Sequence, residues 1–122
     1  DQSHNGLPGR VNVTIRDVFK GLEERGEWRA YVGRRLYGHL FDLDYQEIRL
    51  DMSSHQVICG ERSEVGRYKW EGKVLVAARR SGCNFSLYGG DFNAFAEEFT
   101  ASFKNSRRFT YTPLICCCGK KR

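Results

Sequence analysis

Proline is nearly missing from this chain: Pro8 and Pro113, both near the ends, are the only two among 122 residues. The interior is therefore free to form regular structure without breaks. No run of 18 apolar residues occurs, which speaks against a membrane-spanning helix, and no signal-peptide core is recognisable. There is no glycine-rich phosphate loop, nucleophile elbow or H-E-x-x-H pair. Histidine is limited to His4, His39 and His55. A ribonuclease would need a His pair working with an acid such as Glu47 or Glu61. Nothing in the spacing asks for that pairing, so no catalytic residue is assigned and a non-enzymatic role is favoured.

Spaced cysteine pairs are also missing. Cys59 and Cys83 stand alone, and Cys116, Cys117 and Cys118 are consecutive. Adjacent thiolates cannot converge well on a tetrahedral ion, so neither a structural zinc nor any other cofactor is expected. Cys59 and Cys83 could bridge in an oxidising compartment; as buried thiols they would act as small hydrophobes. The run Cys116–Cys118 before Gly119-Lys120-Lys121-Arg122 resembles an acylated polybasic anchor, the only route to a membrane that the sequence offers. A disordered end is the commoner explanation of such a tail. The sequons Asn12-Val13-Thr14 and Asn84-Phe85-Ser86 permit glycosylation if the chain is secreted. An intracellular location is preferred, with secretion as the alternative.

What the chain does have is a lopsided charge. Residues 67–122 hold eleven Lys or Arg against four acids, whereas residues 1–66 hold nine against eleven. One part of the surface can therefore meet a polyanion. Arg outnumbers Lys fourteen to six; that suits bidentate phosphate contacts, and a GC-rich coding sequence would produce it too. With 40% hydrophobic and 29% charged residues the composition is that of a globular domain.

The periodicity predicts an α+β fold. Residues 1–9 read as a flexible lead-in, 10–114 as one domain, and 115–122 as a Cys-rich basic tail. Ile15, Val18, Phe19 and Leu22 mark one helical stripe over 14–25, with Thr14 and Asp17 as a capping box and Gly26 as a stop. A strand through Val11, Val13 and Ile15 competes with its start. Period-two alternation then suggests strands around Trp28–Val32, Ile48–Met52, Val57–Cys59, Tyr68–Trp70, Val74–Ala78 and Phe85–Leu87, which with tight turns make an antiparallel meander of about five strands. Phe92, Phe95, Ala96, Phe99 and Phe103 define a second helix over 91–104, capped by Asp91 and packed as core against the sheet. Residues 107–112 alternate as an edge strand that Pro113 ends.

The candidate binding surface lies in the basic half. Arg67, Tyr68, Lys69 and Trp70 alternate charge and ring; on a strand the two rings share one face. Lys73, Arg79 and Arg80 flank the next strand, and Arg107, Arg108, Phe109 and Tyr111 follow the Phe-striped helix. Exposed rings among basic groups would form a stacking platform for single-stranded nucleic acid. Tyr68 and Trp70 could instead be core, with the charges merely solvated.

Residues 67–104, with Cys83-Asn84-Phe85-Ser86-Leu87 leading into the Phe-striped helix, resemble the closing part of a PUR repeat, the β-β-β-β-α unit of the purine-rich-element-binding proteins. The resemblance implies single-stranded DNA or RNA bound on the sheet, with Lys69, Lys73, Arg79 and Arg80 in the basic strand positions. The chain departs from that pattern in having no second repeat, a helix ahead of the sheet and a strand after the last helix. The expected function is thus non-catalytic binding of single-stranded nucleic acid. The alternative is a small secreted effector or toxin of ribonuclease-like shape, held by Cys59–Cys83 and acting on a protein or RNA. A protein partner and any oligomeric state stay open.

Overall fold

The computed structural model describes residues 3–60 and 64–122, the side chains of Ser3, His4, Gln56 and residues 64–70 excepted. The elements run β1 (Ser3–Asn5), α1 (Gly9–Glu24), α2 (Val32–Asp42), β2 (Tyr45–Cys59), α3 (Glu64–Arg80), a 3-10 turn (Ser86–Tyr88), α4 (Phe92–Ser102) and β3 (Phe109–Lys121). The class is α+β, but the sheet has three antiparallel strands in the order β1-β3-β2 and not the five expected.

Helix α1 begins at Gly9, ahead of the expected start, and Val11, Thr14, Ile15, Val18 and Leu22 are its buried residues. That is a 3.6-residue stripe, and Val13 points to solvent, which removes the strand reading of 11–15. Thr14 does not cap the helix; its hydroxyl donates to the Arg10 carbonyl one turn back, at 2.8 Å.

The two strands expected over 68–78 are one helix. Val74 and Ala78 are buried while Val76, between them, is 58% exposed. Spacings of two and of four both place 74 and 78 together, and only the exposure of 76 tells them apart. Gly72 sits inside α3 and turns nothing. The strand expected at Phe85–Leu87 fails because Phe85 adopts a left-handed backbone, φ 51°, and opens the 3-10 turn. The expected strand at Trp28–Val32 gives way at Val32 to α2; Trp28 meets Phe19 edge-on at 4.7 Å.

Helix α4 lies where the Phe spacing put it. The Asp91 carboxylate accepts from the Asn93 and Ala94 amides, satisfying two of the donors that a helix start leaves open. Its rings do not pack on the sheet as expected. Phe95, Phe99 and Phe103 are buried against Val11, Ile15, Val18 and Leu22 of α1 and Val74 and Ala78 of α3. The core is thus a three-helix cluster, which the residue before β3 meets where Arg108 covers the Phe103 ring.

That sheet is mostly a long ribbon. β2 and β3 pair from Tyr45↔Lys121 to Cys59↔Phe109, with register shifts between Gln46 and Arg49 and between Ser54 and Gln56. The segments expected at 48–52 and 57–59 are parts of one strand. Pro113 does not end β3, which continues through Cys116–Cys118 to Lys121. Beyond Tyr111 no strand among the described residues pairs with that edge of β3, and a residue without an amide hydrogen is tolerated at such an edge. Residues 3–5, expected to be loose, pair with 109–111.

The two halves of the ribbon present opposite faces to the rest of the protein. Near the helical core, Thr110 and Arg108 are buried. At the far half α2 lies on the Ile115 face, so close that a Cβ at Gly33 would stand 3.0 Å from the Ile115 Cδ1. Helix α2 has no buried residue of its own.

Candidate nucleic-acid interface

The expected binding residues do not gather on one surface. Arg67, Tyr68, Lys69 and Trp70 belong to the backbone of α3, and their side chains lie outside the described residues. The strand expected to carry Tyr68 and Trp70 does not form; the backbone there is helical. Lys73, Arg79 and Arg80, placed in strands by the PUR resemblance, are also helical. Arg79 rests on the Phe92 ring at 4.8 Å. Arg80 pairs with Glu27 at 3.2 Å, and its carbonyl accepts from the Arg25 guanidinium at 2.9 Å, a favourable place for a cation at a helix C-terminus.

Arg108 leaves the expected site altogether. It is 2% exposed and its guanidinium covers the Phe103 ring at 4.1 Å. Its alternation with the exposed Phe109 carries it to the core side of the chain. At the far end, Lys120 pairs with Glu47 and Arg122 with Asp44, so that tip is close to neutral.

What the structure does bring together is the start of β3. Phe109 and Tyr111 alternate onto the outer face, 40% and 37% exposed. Their rings are 6.3 Å apart and 28° from parallel, a stacked arrangement. Their cross-strand partners on β2 are Cys59 and Val57, both exposed, and Asn5 lies opposite Phe109 on β1. Arg107, exposed, precedes the pair in a turn held by its own amide, which donates to the Asn105 Oδ1 at 2.9 Å. Asn105 in turn donates to the Gly6 carbonyl at 2.8 Å, so the loop before β3 is fixed to the chain before α1. The platform is therefore rigid on both sides: a paired strand beneath, a pinned turn at its entrance.

Other chemistry is sparse among the described residues. No group of three His, Cys, Asp or Glu side chains converges, and no helix is long and apolar enough to cross a membrane. His39, in the last turn of α2, and His55, in β2, are both exposed; Glu61 lies outside the described residues. The Cys59 and Cys83 thiols are free: Cys59 is at the end of β2, and the Cys83 sulfur accepts from the Phe85 amide at 3.5 Å. Of the sequons, Asn84 is exposed but Thr14 of the other is buried in a helix.

A cluster around the buried Tyr88 went unforeseen. The Arg10 guanidinium lies 4.5 Å over the Tyr88 ring and pairs with Glu98. The Tyr88 phenol is pushed up to about 12, first by burial and then by the Glu98 carboxylate, against a smaller lowering by Arg10. Because the folded protein holds the proton more tightly than the unfolded chain, this contribution to stability is complete below pH 10 and is lost as pH rises toward 12. Denaturant melts across that interval should show the wild-type protein losing stability faster than Tyr88→Phe. Equal slopes would contradict the assignment. Arg10 and Glu98 are too far apart in sequence for any spacing rule to have joined them.

No family model matches the chain, and the searches found no curated protein and no solved structure similar to it. Fold and site define it only as a small α+β protein with a two-strand ribbon and an exposed aromatic strand face.

Proposed function

We propose that the protein is a non-catalytic binder of single-stranded nucleic acid, acting through Phe109 and Tyr111 with Arg107 as the phosphate contact. The observation that carries this reading is the stacked, exposed pair of rings on a paired strand. Aromatic side chains held in such a position accept bases of any identity, because every base has a π-face. Arg107, exposed beside the rings, supplies attraction to the backbone. The ligand class is the one that the PUR resemblance suggested; the surface is different, since the basic residues of α3 are spread around a helix.

Tyr111→Ala should weaken binding of a short labelled oligonucleotide by about 1–3 kcal/mol, the usual loss for one stacked base. Arg107→Ala should weaken it for all sequences and lower the salt slope by about one. Binding unaffected by both substitutions would remove this surface from consideration, and no binding at low salt would remove the function.

A further inference from the structure

We propose that the protein forms a two-fold symmetric dimer through the free edge of β2, with Leu50 of each copy opposite Leu50 of the other. β2 ends the sheet: β3 pairs with one of its edges, and no strand among the described residues pairs with the other. From Arg49 to Ser54 it pairs with β3 residue for residue, from Cys118 to Pro113. This open run contains neither Pro nor Lys, and its register shifts lie outside it. Pro, Lys and bulges are among the features that blunt an edge strand, and the two charges the run does carry, Arg49 and Asp51, are of opposite sign. The open edge of β3 is different, carrying Pro113, Lys120 and Lys121. Only one of the two edges is left ready to pair.

The order of residues on β2 then selects the partner. Two antiparallel copies of one strand are related by an axis perpendicular to the sheet. Residues directly opposite must come from the same face, so the axis passes through one residue and not between two. With Leu50 on the axis, Arg49 faces Asp51 of the partner subunit and Asp51 faces the partner's Arg49. Across residues 49–51 of the regular run, each opposite pair is therefore apolar with apolar or positive with negative. One step along, Asp51 would face its own copy; one step back, Arg49 would. Like charges directly opposite destabilise a strand pair, and opposite charges and apolar pairs support it. Centring on Met52 would set Leu50 against Ser54 and Asp51 against Ser53, with no charge pairing. Of the centres from 49 to 52, Leu50 alone joins opposite charges and apolar residues, which suits a second copy rather than an arbitrary extended peptide.

Exposure on the same half of the molecule agrees with this occupant. Met52 is 69% exposed and Leu50 is also exposed, although their partners on β3, Ile115 and Cys117, lie on the face that α2 covers. Tyr37 and Phe41 of α2, stacked at 6.4 Å, are exposed as well. Joining two copies would give a continuous antiparallel sheet with both α2 helices on one face. Leu50 and Met52 of both copies would lie on that face about the axis, and the Arg49–Asp51 pairs would lie on the other face.

The test is a charge exchange read by sedimentation velocity under reducing conditions, so that the five cysteines cannot cross-link. The unsubstituted protein should sediment at twice the 14.1 kDa chain mass. Arg49→Asp and Asp51→Arg should each weaken the dimer by about tenfold or more, because each places like charges opposite one another. The double exchange should restore it. Circular dichroism should show all three variants folded, since both side chains are exposed in the single copy. A wild-type monomer at every soluble concentration would overturn the proposal, leaving the edge to a foreign strand. A dimer indifferent to the single exchanges would overturn it too.

Discussion

Phe99→Ala is expected to destabilise the protein by about 3–5 kcal/mol, read from urea or thermal unfolding. Phe99 is almost wholly buried at the centre of the aromatic row. It lies parallel to Phe95 at 5.8 Å and edge-on to Phe103 at 5.1 Å, and Phe95 continues the row to Phe85 at 5.4 Å. Removing the middle ring loses burial and both ring contacts, and leaves a cavity between helices that cannot collapse independently. A domain of this size has only about 5–15 kcal/mol in total, so the variant should be close to unfolding at ambient temperature. A loss below about 1 kcal/mol would mean that the helical cluster is not the core.

Gly21→Ala should also destabilise strongly, although in an ordinary helix the same change is favourable by up to about 1 kcal/mol. A Cβ at Gly21 would run into the Ser81 carbonyl oxygen, which is backbone and cannot swing aside. Ser81 is itself fixed: its amide donates to the Ala77 carbonyl and its hydroxyl to the Ala78 carbonyl at 2.8 Å, while its oxygen accepts from the Cys83 amide at 3.1 Å. Relieving the overlap means parting α1 from the end of α3, at a cost of about 1–3 kcal/mol or more. Gly72→Ala is the matched control. It lies within α3 with open space around it, and should stabilise slightly. Opposite signs from two helical glycines would place the close approach of α1 and α3 where the structure has it; equal signs would not.

These two sites also show how much of the fold was legible. The stripe Ile15-Val18-Phe19-Leu22 and the stripe Phe92-Phe95-Phe99-Phe103 have only one period that fits, and both elements formed as helices. Val74, Val76 and Ala78 fit two periods, and the choice between them was made by burial against α1, which no local pattern contains. The sequence makes residues 107–112 an edge strand that Pro113 ends; instead β3 lies between β1 and β2 and continues past Pro113, where among the described residues β1 no longer runs alongside it. The strand at Phe109–Tyr111 was visible in the alternation, and so were its exposed rings. The fate of Arg108 was not, since its burial on Phe103 depends on where α4 packs.

The candidate surface changed accordingly. A basic-aromatic run was expected at 67–80 and again at 107–111; the described side chains support only the second as an exposed platform. The alternation at Ile48–Met52 marks a strand, and the exposure of Leu50 and Met52 leads to the proposed dimer. The two proposals do not depend on each other. Phe109 and Tyr111 lie at the opposite end of the ribbon from Leu50, so loss of the dimer would leave the aromatic platform in place.

Ultraviolet cross-linking of the protein to a single-stranded oligonucleotide, followed by peptide mapping, tests the functional reading most directly. The cross-linked peptide should contain Phe109 and Tyr111, and its yield should fall as salt is raised. Cross-links confined to the helix at residues 64–80, or none at low salt, would contradict it.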